Sequence, residues 1–172
     1  GIDSAIEMGL SPVKLNTLVM KGINVDEIDD LIEYSKDKRV TLQLIELEEV
    51  LPENKEIYEK YHVSLDSIEE RIREQASEVD TRWMMQARRK YKVDGAEVEI
   101  VNPMHNSEFC TYCTRLRMTA SGLLKPCLMR NDNLVDAISP VRENDEEGIR
   151  EAFRTAIDRR APFFVEETDD EE

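Results

Sequence analysis

The spacing of apolar positions changes twice in the first fifty residues. Ile2, Ala5, Ile6 and Met8 recur at helical spacing, and Gly9 offers a C-terminal stop before Pro12. Val13 to Met20 then alternates and is rich in apolar residues, which predicts a buried strand with Lys14 and Asn16 on one face. Asn24, with Glu27 three residues on, has the pattern of a capping box. It predicts a helix with Ile28, Leu31, Ile32 and Ser35 as its buried stripe. Val40 to Leu47 reads as a second apolar strand. Strand, helix and strand over this length make one βαβ unit, so this part of the sheet is expected to be parallel.

The pattern changes again near Pro52. Residues 54–61 and 64–76 are charged and helical, with Ile68 and Ile72 on one face. Arg82 to Val93 and Ala96 to Val101 read as two strands around Asp94-Gly95, a strong hairpin signal. Leu116 to Ala120 and Leu123 to Leu128 flank Ser121-Gly122 and predict a second hairpin. Asn144 is expected to cap a last helix whose buried stripe is Ile149, Phe153, Ala156 and Ile157. Residues 165–172 read as an acidic, disordered tail. Trp83, Met84 and Met85 are expected in a core, His62 on a helical surface, and Arg88-Arg89-Lys90 on a solvated face. There is no internal repeat.

Charge narrows the function. The 172 residues carry a formal net charge of −15. Such a chain is not expected to coat nucleic acid or an anionic membrane, because phosphate-rich surfaces need a basic partner. An anionic ligand must be held by a local basic island. No apolar run reaches membrane-spanning length, and no signal peptide is recognisable. Three cysteines, an odd number, argue against a secreted disulfide framework, so the compartment is read as cytoplasmic. The chain starts at Gly1 within a helical pattern, which reads as a piece of a longer protein.

The candidate chemistry lies in Phe109-Cys110-Thr-Tyr-Cys113-Thr-Arg115-Leu116-Arg117 and Lys125-Pro126-Cys127-Leu128. The cysteines are spaced C-x2-C-x13-C, with Cys110 and Cys113 expected in a loop. The Ser121-Gly122 hairpin would return Cys127 to the pair. Three thiolates can hold three irons of a four-iron cluster and leave the fourth open. The alternatives are a zinc site completed by His105 or an outside ligand, and buried small hydrophobes. Arg115 and Arg117, two apart, share a strand face, either solvated or holding an anion; Lys125 and Arg130 are near in sequence. Lys14 reads either as a strand-end lysine in solvent or, on an interior parallel strand, as pointing into a cavity.

These residues resemble the molybdenum cofactor biosynthesis protein A family, the GTP 3′,8-cyclases, which are radical S-adenosylmethionine enzymes. The resemblance is strongest in Val13-Lys14-Leu-Asn16-Thr-Leu-Val-Met-Lys21-Gly22-Ile-Asn24, in Ile45-Glu46 and in Phe109 to Leu128. It implies an α/β fold: the C-terminal part of an incomplete (β/α) barrel, followed by a hairpin-rich cluster-binding extension. Residues 1–48 would be the last βα units of the barrel, and 49–97 a helical connection and strand. Residues 98–130 would be the iron-sulfur hairpin region and 131–164 a C-terminal helical segment, before the tail.

The resemblance makes Cys110, Cys113 and Cys127 ligands of a second 4Fe-4S cluster. It makes Lys14, Arg115, Leu116 and Arg117 contacts to GTP. The family converts GTP to (8S)-3′,8-cyclo-7,8-dihydroguanosine 5′-triphosphate, using S-adenosylmethionine at a first cluster. It implies a homodimer and a downstream cyclic pyranopterin monophosphate synthase. The chain departs from the family in four places. No C-x3-C-x2-C motif precedes Cys110, so this chain alone is expected to be inactive. Gln43 stands where Arg is common, and Glu48 where Met is frequent. The acidic tail replaces a Gly-Gly terminus. Two rivals remain: an auxiliary-cluster domain of another radical enzyme, and a zinc-stabilised interaction module.

Overall fold

The computed structural model describes residues 1–50 and 52–165, so most of the expected acidic tail lies outside the described residues. The chain divides into two compact units, one from Gly1 to Met104 and one beginning at His105. Both mix helices and strands.

The first unit contains helix α1 (Ile2–Glu7), strand β1 (Lys14–Val19), helix α2 (Ile28–Lys38) and strand β2 (Thr41–Glu46). Helices α3 (Lys55–Tyr61) and α4 (Asp66–Gln75) follow, then strands β3 (Ala76–Arg82), β4 (Arg88–Val93) and β5 (Ala96–Val101). The strands form one mixed sheet in the order β1-β2-β5-β4-β3. β1 and β5 run parallel to β2, and β4 and β3 complete the sheet antiparallel. The βαβ unit thus forms as its periodicity predicts.

Four local expectations are corrected. β1 is an edge strand, not an interior one, and only Val19 within it is buried. Asn24 does not cap a helix with its side chain. Its Oδ1 accepts from the Met20 N–H at 2.8 Å and its Nδ2 donates to the Leu18 carbonyl at 2.9 Å, closing the turn after β1. Arg82 to Val93 is not one strand. The chain turns back through a short 3-10 helix at Trp83–Met85, with Gln86 and Ala87 at positive φ. β3 carries Glu78, Asp80 and Arg82 with little apolar alternation, so it gave no strand signal. Trp83 and Met84 sit in that turn, 51% and 77% exposed, not in a core.

The core explains the rest of the sheet. Leu42, Leu44, Val98, Ile100, Tyr91 and Val93 pack against Ile28 of α2 and against Leu65, Ile68 and Ile72 around α4. Each such side chain contributes about 1.5–3 kcal/mol when fully buried. Between β4 and β5, Asp94 at φ 47° and Gly95 at φ 87° make the tight turn that the Asp-Gly pair predicts.

The second unit contains helix α5 (Ser107–Thr111), strands β6 (Arg117–Met118), β7 (Leu123–Lys125) and β8 (Val135–Asp136), and helices α6 (Ile138–Arg142) and α7 (Glu146–Asp158). The strands form a small antiparallel sheet in the order β6-β7-β8. The predicted second hairpin is present; β8 carries no sequence signal. Asp145, not Asn144, caps α7, its Oδ1 accepting from the Gly148 N–H at 3.0 Å. Asn144 is in the left-handed region at φ 53°. The buried face of α7 is Ala152 and Ala156, packed with Leu124, Ala137, Leu116 and Val135. Phe153 and Ile157 of the expected stripe are exposed. Two alanines one turn apart let the helix approach a short sheet closely.

Candidate functional site

In the second unit, Asn106 opens α5, its Oδ1 accepting from the Phe109 N–H at 2.9 Å. Cys110 therefore lies on a one-turn helix rather than in a loop, and Cys113 follows its end, with its N–H donating to the Cys110 carbonyl at 3.2 Å. Cys127 lies just beyond β7. All three cysteines are partly buried and none is in a disulfide. In kind and number this donor set fits three ligands of a four-iron cluster. Among the described residues, no three His, Cys, Asp or Glu side chains are gathered as a metal-holding group.

Basic residues lie close to the cysteines in the chain. Arg117 on β6 is the direct partner of Lys125 on β7. Like charges directly opposite destabilise a strand pair. Arg115 is exposed, and neither it nor Arg117 has an ion-pair or hydrogen-bond partner among the described residues. Lys125 donates to Asn131 Oδ1 at 2.8 Å. Arg130 is occupied by Asp132, at 2.9 and 2.6 Å, and the Asp132 carboxyl is held down to about 2 chiefly by that hydrogen bond. Arg115, Arg117 and Lys125 thus form the local basic group. Leu116 packs on the small core.

The first unit holds Lys14 in an arrangement the sequence does not show. Glu99 is fully buried, and its Oε2 accepts from Lys14 Nζ at 2.8 Å and from Gln43 Nε2 at 2.7 Å. Its Oε1 accepts from Arg82 Nη1 at 3.0 Å, with Arg88 Nε at 3.4 Å. Lys14 is paired with this carboxylate and remains partly exposed. Arg88, expected on a solvated face, is buried in this group. Burial pushes the Glu99 carboxyl up. The Lys14 hydrogen bond, the Arg88 charge and the Gln43 amide outweigh that and hold it below the ordinary carboxylate range.

A second buried carboxylate lies at the end of β2. Glu46 Oε1 is 2.8 Å from His62 Nε2, and its Oε2 accepts from the Met104 N–H at 3.2 Å. Burial raises the Glu46 carboxyl above its ordinary value despite both partners. His62, expected on a surface, is therefore a structural partner, stacked on Tyr58. Sequence reasoning missed Glu99, Arg82 and Glu46 as site-forming groups. The one available signal was a charge inside an apolar strand, Val98-Glu99-Ile100.

A family model, Molybdenum Cofactor Synthesis C, matches residues 40–165. The chain belongs to the Molybdenum Cofactor Synthesis C family. The matched span includes all three cysteines, Arg115 and Arg117, and begins after Lys14. Beyond it, the chain is 46% identical over 165 residues to the probable GTP 3′,8-cyclase of Methanothermobacter thermautotrophicus, covering 96% of this chain and 54% of that protein. It is 44% identical over 166 residues to the probable GTP 3′,8-cyclase of Methanococcus aeolicus, covering 96% and 53%. It is 46% identical over 167 residues to that of Methanosarcina mazei, covering 96% and 48%. The chain thus spans about half the length of these curated relatives. No helix among the described residues is long and apolar enough to cross a membrane.

Proposed function

We propose that this Molybdenum Cofactor Synthesis C chain is the GTP-binding, cluster-carrying portion of a GTP 3′,8-cyclase acting in molybdenum cofactor biosynthesis. The observation that carries this reading is the pair Arg115 and Arg117. In a chain of net charge −15, both lack an acidic partner among the described residues, and both follow the C-x2-C pair directly. Unpaired guanidinium groups beside a metal-ligand motif suit a phosphate-bearing ligand.

Cys110, Cys113 and Cys127 would hold a 4Fe-4S cluster. When bound, the cluster supplies an open iron to which a base nitrogen or oxygen can coordinate. Arg115 and Arg117 present forked donors to phosphate oxygens, with Lys125 adding positive charge across the hairpin. Leu116, between them, packs on the small core. Lys14, on β1 of the first unit, is by the family resemblance also a GTP contact, and the parallel strands β1, β2 and β5 belong on this reading to the incomplete barrel. No cysteine precedes Cys110, so S-adenosylmethionine cleavage falls to residues outside this chain.

The test is anaerobic reconstitution with iron and sulfide, followed by metal and sulfide counts per chain. About four irons, with a brown chromophore, is the expected result. Zinc as the only stoichiometric metal would sink the cluster reading and favour a zinc-stabilised module. Iron binding without GTP binding would favour an auxiliary-cluster domain of another radical enzyme.

A further inference from the structure

Glu99 accepts three hydrogen bonds, from Lys14, Gln43 and Arg82, and lies 3.4 Å from Arg88 Nε, whose N–H donates to the Met85 carbonyl at 2.9 Å. Lys14, Arg82 and Arg88 are cations, so the group carries two positive charges in excess. The members differ in access. Arg88 is 7% exposed and Glu99 0%, whereas Lys14 is 30% and Arg82 29% exposed. Only the ends of Lys14 and Arg82 reach outward.

Both ends keep spare donors. An ammonium has three N–H groups and a guanidinium five, and the contact to Glu99 uses one of each. Glu97, in the register row of Lys14 and Thr41, already accepts from Thr41 Oγ1 at 2.9 Å and Lys90 Nζ at 3.1 Å. It does not compete for either cation. Arg82 also stands at the end of β3, beside the exposed turn at Trp83 and Met84, where a ligand can approach.

We infer that Arg82 is a phosphate-binding residue, paired with Lys14, and that buried Glu99 is the positioning residue that sets their spacing. The ligand chemistry is a polyphosphate chain. This rests on the proposed function, and it gives Gln43 a role. A neutral amide there donates to Glu99, and the second positive charge comes from Arg82 on the β3–β4 hairpin.

The experiment titrates the 172-residue chain with GTP and, separately, with inorganic tripolyphosphate. Arg82→Gln should weaken both ligands by a similar factor, about tenfold or more, as expected for loss of one charge-assisted contact. Arg82→Lys should recover part of the loss. Arg82→Gln that binds both ligands like the parent, while Arg115→Ala weakens them, overturns this inference and leaves the proposed function standing. A parent chain that binds neither ligand overturns both. Phenylglyoxal modification needs no variant. Saturating tripolyphosphate should protect Arg82 in the parent, and an equal modification rate with and without it overturns the assignment. For Glu99, Glu99→Gln should weaken tripolyphosphate binding although it removes a negative charge, because Lys14 and Arg82 lose their common anchor; unchanged or tighter binding overturns the positioning role. A purely structural role would change the melting temperature alone.

Discussion

Arg117 and Lys125 face each other directly across β6 and β7, two cations paired in a hairpin of a strongly acidic protein. Their repulsion costs stability, and the opposite strand has no acidic residue to relieve it at that register. Lys125→Glu should therefore raise the stability of the hairpin by about 0.2–1 kcal/mol. The same change should weaken tripolyphosphate binding. Thermal melts and titrations on one preparation check both signs. A variant that gains stability and keeps full affinity would remove Lys125 from the anion site.

Gly122 governs the turn between β6 and β7. It has φ +80°, and a Cβ there would lie 2.5 Å from Ile138 Cβ. Gly122→Ala should cost about 1–3 kcal/mol from backbone strain alone, with the clash adding to it. Hydrogen exchange should locate the loss in the second unit, with β2 and β5 keeping their protection.

Cys127→Ser removes one thiolate and leaves the fold's apolar contacts untouched. Reconstituted iron should fall well below the parent value while far-ultraviolet circular dichroism stays the same. Unfolding of the second unit without any iron in the parent would instead mark the cysteines as structural.

Glu99 should be costly to truncate. Glu99→Ala leaves the Gln43 amide buried without its acceptor and removes a buried counter-charge beside Arg88, and removal of one partner from such a group costs about 3–5 kcal/mol. Glu99→Gln, which keeps shape and one acceptor oxygen, should cost less. Urea unfolding of both variants against the parent measures the difference.

Acid should act through the same residue. The folded protein holds the Glu99 carboxyl below its ordinary value, so the unfolded chain binds that proton more readily. The stabilisation is present above the unfolded value, about 4.3, and is lost as pH falls through the lower folded value. Glu46 has the opposite sign: its raised carboxyl favours the folded state most at low pH, and that contribution fades as pH rises through the folded value. The stability gap between the parent and Glu99→Gln should therefore narrow on acidification, as read from urea unfolding across the acid range. A gap independent of pH would show that Glu99 is not ionised in the folded protein.

Local chemistry was readable from the sequence alone. The βαβ unit, the Asp94-Gly95 turn, the Ser121-Gly122 hairpin and the Ile68–Ile72 stripe follow from side-chain period and turn residues a few positions apart. The cysteine spacing and the Arg115-Leu116-Arg117 run were likewise visible, because the residues that form them are neighbours in the chain. Strand order was not visible. Nothing in Lys14 to Val19 says that β1 is an edge, and nothing in the polar run Ala76 to Arg82 marks β3 as a strand. Their places depend on pairing with strands that are remote in the chain. The Glu99 group is decided in the same way. Lys14 is 85 residues from Glu99, Gln43 is 56 and Arg82 is 17. One sheet brings them to a single carboxylate, because burying that charge requires partners and only tertiary pairing supplies them.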